Sequence, residues 1–278
     1  FAFLGNRIDG SIDLYDKRTT NLLAHVPVDP TTGFKNVLSN LGTMTNRGVE
    51  LSLSSVNIQK ALFQWTTDFT FTYNANKLVD MYLEQPESPY VMIGYDYWKG
   101  YPFGTIFAYD WAGLDPEDGM PRVYDSKGNP VRSITDIDSV DAVKYRGTTV
   151  APIFGSLSNT FRLGSFDLNI MFVYNFGHKM RNDVNTKNSY RFCENLHHDF
   201  AKRWQRPGDE LTTDVPAYYS LKNSAISESD ITYLYRFADN NVLNASYIKL
   251  REVSFGYRIP AHICKTMNMQ SMSVRLIA

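Results

Sequence analysis

From Leu62 to Asn74 the chain reads LFQWTTDFTFTYN, and its odd and even positions separate by chemistry. Phe63, Trp65, Thr67, Phe69, Phe71 and Tyr73 fall in one set; Gln64, Thr66, Asp68, Thr70, Thr72 and Asn74 fall in the other. Helical spacing would scatter both sets around a cylinder, whereas a strand places one on each face. The stretch Phe166 to Phe176 repeats the pattern: Phe166, Leu168, Ile170, Phe172, Tyr174 and Phe176 alternate with Asp167, Asn169, Met171, Val173 and Asn175. An all-α fold is excluded by this period.

Turn chemistry tests the pattern independently. Gly164-Ser165 suits a two-residue type II′ hairpin loop with Gly first. With Leu163 facing Phe166, Phe161 meets Leu168, Leu157 meets Phe172, Gly155 meets Tyr174 and Ile153 meets Phe176. Apolar face then lands on apolar face, with Asn159 opposite Ile170 as the exception, and Gly155 is covered by a ring as sheets commonly arrange. A Gly5-Asn6 loop sets Phe3 against Ile8 and Phe1 against Gly10. Val49 to Asn57 aligns with Leu62 to Asn74 if an odd loop such as Ile58-Gln59-Lys60 joins them. The chain is therefore expected to be all-β, an antiparallel up-and-down meander.

Polar connections of roughly 18–45, 75–150 and 178–245 lie between these hairpins, and loops beyond about 12–15 residues are usually functional. Short turns and long loops fall on opposite edges of such a meander, as in outer-membrane barrels with short periplasmic turns and long extracellular loops. Phe103 to Trp111 could add a strand, but strands between Leu62–Asn74 and Ile153–Leu163 must be even in number or not span. A soluble β-sandwich that binds carbohydrate is the alternative; the large aromatic face opposite Asp, Thr, Asn and Gln favours the barrel.

Composition narrows the picture. The 278 residues carry 28 Lys+Arg against 29 Asp+Glu, so no basic field exists for nucleic acid. Mean hydropathy is −0.31 and the longest apolar run, Ile170 to Tyr174, is far too short for a membrane helix. Aromatic content is high, with 17 Phe, 18 Tyr and 4 Trp. Phe1 reads as an internal or processed start. Cys193 and Cys264 are too few for a disulfide framework and lack metal spacing. Placed on opposite edges of a band about 25 Å tall, they are expected not to be bonded.

Several ordered segments carry a resemblance. Thr45-Asn46-Arg47-Gly48-Val49-Glu50-Leu51 opens a strand, followed by Gly100-Tyr101-Pro102-Phe103-Gly104 and Trp111-Ala112-Gly113-Leu114-Asp115-Pro116-Glu117-Asp118-Gly119. Gly155-Ser156-Leu157-Ser158-Asn159-Thr160-Phe161 comes next, then Tyr247-Ile248-Lys249-Leu250-Arg251-Glu252-Val253-Ser254-Phe255-Gly256-Tyr257. In this order they resemble the distal barrel of SusC/RagA-type TonB-linked (TonB-dependent) outer-membrane transporters of Bacteroidetes. The resemblance implies a transporter of about 22 strands, in which six full and two partial strands are only a piece of wall. Plug domain, TonB box and final strands would lie outside the chain, which stops at Ser271 to Ala278 in mid-alternation. Implied partners are the rest of the barrel and plug, a SusD-like surface lipoprotein, the TonB complex, the lipid bilayer, and a glycan or peptide cargo.

No catalytic motif is present: neither a Gly-x-Ser-x-Gly elbow, nor His-Glu-x-x-His, nor a phosphate or dinucleotide loop. No enzyme activity, cofactor or metal site is expected. His197-His198-Asp199 lacks a spaced third ligand. Asp115 to Gly119 with Asp125 and Asn129 lacks the calcium-loop register and reads as Asp-rich turns. Ligand contact is assigned to aromatics of the long loops, Tyr95, Tyr97, Trp98, Tyr101, Trp111 and Trp204, which could equally pack the loops onto the barrel mouth or a lid. Asp68, Thr70, Thr72, Asn74, Asp167, Asn169 and Asn175 are expected to face the lumen, because a charge toward lipid costs about 2–4 kcal/mol at mid-membrane. In Ser246 to Arg258 the apolar spacing is even through Ile248 and Leu250, jumps by three to Val253, then is even again. A β-bulge at Arg251-Glu252 would absorb the jump; an extracellular extension is the alternative.

Overall fold

The computed structural model describes residues 1–27, 33, 36–82, 88–182, 198–218 and 228–278. In chain order the strands are Ala2–Phe3 (β1), Ile8–Pro27 (β2), Asn36–Gln59 (β3), Phe63–Met81 (β4), Thr105–Tyr109 (β5), Trp111–Leu114 (β6), Pro121–Tyr124 (β7) and Pro130–Val131 (β8). Val143–Thr148 (β9), Ile153–Leu163 (β10), Phe166–Phe176 (β11), Lys179–Arg181 (β12), Val242–Asn244 (β13), Tyr247–Arg258 (β14) and Ser273–Ile277 (β15) complete the set. Eight of them form one antiparallel sheet in the order β1-β2-β3-β4-β10-β11-β14-β15. Two of the eight are short, so the wall is six full strands and two partial ones, as expected. The remaining strands form separate sheets of two or three. No second large sheet faces the first among the described residues, which removes the sandwich alternative.

The registers follow the turns. Leu163 pairs Phe166, Gly155 pairs Tyr174 and Ile153 pairs Phe176, around a Gly164 whose φ of 57° fits the first position of a type II′ turn. Phe3 pairs Ile8, and Phe1 exchanges hydrogen bonds with Gly10. The β3–β4 hairpin aligns its apolar faces, Leu51 with Phe71 and Leu53 with Phe69, by another device than an odd loop. Gln59 pairs Gln64 at the tip, and the odd residue is Asn57, left out of the ladder between Val56 and Ile58 as a bulge. In β14 the ladder breaks at Arg251: Glu252 pairs Met171 and Leu250 pairs Phe172. Val253, Phe255 and Tyr257 therefore share a face with Leu250 and Ile248, as the parity argument requires.

One face of the sheet carries the aromatic and aliphatic side chains. From Phe63 to Tyr73 it climbs about 34 Å along the strand, or about 24 Å vertically at a tilt of about 45°, close to the height of a membrane-barrel apolar band. Its upper limit on β2 and β3 is marked by the Asp16–Arg47 ion pair at 3.0 Å. The opposite face is polar and cross-linked. Ser54 donates to Asp68 at 2.8 Å, Thr70 and Ser156 are 2.8 Å apart, and Tyr15 reaches across Gly48 to Asn74 at 3.1 Å. Asn169 donates to Ser158 and Thr160, Asn175 to Tyr247, and Asp167 pairs Arg275 at 3.2 Å. Thr72 lies between Glu50 and Phe154 in register.

The long connections are not loops throughout. Much of 18–45 is strand, because β2 runs to Pro27 and β3 begins at Asn36; β4 likewise continues to Met81. Beyond the apolar band both faces of a strand meet water, so no alternation announces it. The other two connections fold upon each other into a module above the wall. Phe103 to Trp111 yields β5, which pairs β9 outside the main sheet while β4 pairs β10 directly, consistent with the direction count.

Candidate functional site

Among the described residues the module holds two short α-helices, Pro89–Gly94 (α1) and Glu228–Phe237 (α2). A proline at the start of α1 presets the first turn. Its core joins Met92 and Ile93 of α1 to Phe107 and Tyr109 of β5, Val123 of β7 and Leu234 of α2. A smaller cluster of Leu41, Leu78 and Tyr97 fastens the module to the upper ends of β3 and β4. There Gly100 donates to the Leu78 carbonyl, the Leu78 N–H donates to the Tyr101 carbonyl, and Lys99 pairs Asp80 at 3.1 Å.

The six aromatics assigned to ligand contact all lie in this module, and packing engages each of them. Tyr97 is 7% exposed and Trp204 8%, so neither offers a free ring face, a correction to the picture of open platforms. Burial, then the neighbouring Tyr95 and Asp96, pushes the Tyr97 hydroxyl up to about 12. The Trp204 ring covers Gly119, whose φ of 70° and missing Cβ admit it, and its Nε1 donates to Glu210 at 3.1 Å. Tyr95 leans on Tyr97, with centroids 5.2 Å apart, and Tyr101 meets Phe107 edge-on at 5.1 Å. Trp98 packs on the same core. Trp111 ties the two long connections together, with its N–H donating to Asp239 at 2.9 Å and its Nε1 to Asp214 at 3.2 Å. These last four rings are half-buried, so edges and partial faces remain accessible.

Two features had no signal in the spacing. Tyr90 is exposed and stacks on Tyr233 with centroids 4.8 Å apart, and the Tyr233 hydroxyl donates to the Tyr90 carbonyl. Arg146 bridges Asp110 and Asp239, again linking the two connections. Arg181, stacked on the Phe237 ring at 4.7 Å, is drawn down to about 10 by burial and then by the nearby Arg236. The acidic turn is neutralised from within: Arg132 pairs both Asp115 and Asp118, and Arg122 lies 3.9 Å from Asp115. Among the described residues no group of three His, Cys, Asp or Glu could hold a metal. His198 pairs with its neighbour Asp199 at 3.0 Å; His197 and Cys193 lie outside the described residues. Cys264 is buried and free.

The wall and module correspond to known proteins. The sequence profile of the family described as TonB dependent receptor-like, beta-barrel, matches residues 1–180. The chain belongs to this family. TonB-dependent receptor P39 of Formosa agariphila is 27% identical over 297 residues, covering 90% of this chain and 27% of that protein. TonB-dependent receptor SusC of Bacteroides thetaiotaomicron is 24% identical over 265 residues, covering 85% and 25%. A solved structure of the RagAB peptide transporter superposes with a TM-score of 0.76 at 22% identity, over 99% of this chain and 29% of that one. The chain thus spans between a quarter and a third of the length of these relatives. It is outer-membrane β-barrel wall.

Proposed function

We propose that the whole protein is a TonB-powered importer of glycans or peptides, and that this chain supplies wall and mouth. The observation that carries the reading is the two-sided sheet: an apolar band about 24 Å tall backs onto hydrogen-bonded Asp, Asn, Ser and Thr, and the module stands at the long-loop edge. Asp68, Thr70, Thr72, Asn74, Asp167, Asn169 and Asn175 then line the lumen, where their lone pairs face plug and water. Cargo is captured at the module, against Tyr90 and the accessible edges of Tyr95, Trp98, Tyr101 and Trp111, under a SusD-like lipoprotein lid. Rings suit either cargo because they bury apolar area at little entropic cost. TonB, engaged through the plug, drives passage.

The test is uptake by cells carrying the full-length receptor, using fluorescent oligosaccharide and peptide pools with TonB present or deleted. Accumulation of one pool only when TonB is present is expected. Uptake that persists without TonB would mark a passive pore and overturn the reading.

A further inference from the structure

Level by level the lipid-side face of β3, β4 and β10 is apolar, except at one height. There Ser55, Thr67 and Asn159 stand in register across the three strands, and the bulge turns Asn57 into the same row. The side chains form a relay: Ser55 donates to Asn57 at 2.9 Å, Asn57 to Thr67 at 2.6 Å, and Thr67 to Oδ1 of Asn159 at 2.7 Å. Trp65 Nε1 donates to that same oxygen at 3.0 Å. An indole nitrogen can only donate, so the atom it meets is the amide oxygen, and Nδ2 of Asn159 points elsewhere. Among the described residues that nitrogen makes no hydrogen bond.

Rows above and below this level are apolar, with Leu157 and Phe69 over it and Phe161 and Leu168 beneath. The row lies about 5 Å inside the ring of Trp65, on the short-turn side of the band. Water does not solvate a donor there, and an N–H facing hydrocarbon is costly. The acceptors nearest that depth outside the wall are the acyl ester carbonyls of the periplasmic leaflet, at the level where Trp and Tyr belts sit.

We propose that this row is a binding site for one glycerolipid of the periplasmic leaflet. Asn159 Nδ2 donates to an acyl ester carbonyl. Phe69 and Leu157, on the mid-membrane side of the row, are the wall for the acyl chain of that ester. Trp65, fixed by its hydrogen bond and stacked on Phe161 with centroids 5.7 Å apart, flanks the glycerol on the periplasmic side. The bulge at Asn57 is then a positioning device: it adds the residue whose amide orients Thr67 and, through it, Asn159.

The test uses the full-length receptor in nanodiscs of diacyl phosphatidylethanolamine or of its ether-linked analogue, which lacks ester carbonyls. Native mass spectrometry after stripping of the annular lipid counts what stays bound. The wild type is expected to hold one ester lipid and about tenfold less ether lipid, the loss of one hydrogen bond. Asn159→Leu should hold as little as the ether case, whereas Ile170→Leu at the same height should behave as wild type. Equal retention of ester and ether lipid by the wild-type protein, which needs no variant to fold, overturns the site. So does a disulfide between two copies of Asn159→Cys in native membranes, which would assign the row to a protein contact.

Discussion

Single residues decide how closely the strands approach. A side chain at Gly155 would run into the Thr70 carbonyl, a backbone group, and into the Tyr174 hydroxyl that donates to that carbonyl at 2.8 Å. At Gly256 the obstacle is softer: an added Cβ would lie 2.5 Å from a carboxylate oxygen of Asp167, which leans over the glycine toward Arg275. Backbone cannot give way and a carboxylate can. Gly155→Ala is therefore expected to cost about 1–3 kcal/mol, as overpacking does. Gly256→Ala should cost under about 1 kcal/mol, since the displaced pair is 24% and 58% exposed and screened by water. Heat-modified gel mobility of the full-length barrel across temperature reads both, and a larger loss for Gly256→Ala would reverse the argument. Asp138 makes a prediction in pH. The Ser126 hydroxyl and then its backbone N–H hold this carboxylate down to about 2. A depressed carboxylate stabilises above its unfolded value of about 3.9 and loses that contribution as pH falls toward its folded value. Exchange protection of the Ser126 amide should thus fall between about pH 4 and pH 2 in the wild type, and be low and flat in Asp138→Ala.

At the scale of elements, parity toward lipid is the governing constraint. Removing Arg251 from β14 leaves Ile248, Lys249, Leu250, Glu252 and Val253, which alternate without a bulge and keep every apolar side chain outward. The deletion is expected to assemble normally. Deleting Ser254 instead sets Val253 beside Phe255 and drives one half of the strand out of phase, exposing charge at about 2–4 kcal/mol per residue near mid-membrane. Outer-membrane fractionation of the two deletions checks this; equal assembly of both would refute parity as the constraint. The same constraint explains what was legible in the sequence. Phe166 to Phe176, its register with β10 and the bulge at Arg251 could be read because lipid enforces alternation there. The upper halves of β2 and β3 could not, since residues such as Arg18, Thr19 and Asn40 meet water on both faces and satisfy strand geometry without a pattern. Nor could composition tell that Tyr97 and Trp204 fill a core instead of presenting a surface: ring chemistry is the same in both places, and only the partners Leu78 and Gly119 decide.

The whole chain behaves as wall, not globule. Its accessible surface is 17472 Å², against about 12,200 Å² for a compact monomer of this mass. The apolar face of the sheet is bare: Leu14 is 77% exposed and Leu276 70%. Among the described residues both sheet edges are also open, because β1 covers only Ala2 and Phe3 against β2 and β15 covers only five residues of β14. Unpaired edges and a bare apolar face are two separate routes to association. Detergent masks the face and leaves the edges; the missing strands of the barrel satisfy the edges and leave the face. The 278-residue chain alone is therefore expected to aggregate in plain buffer and to remain polydisperse in detergent. Adding the remainder of the receptor during refolding into detergent should give one heat-modifiable species. Light scattering and gel mobility distinguish the three conditions. A folded monomer in plain buffer would sink the barrel-wall reading, while a discrete monomer of the chain alone in detergent would mean that the open edges of β2 and β14 are already protected.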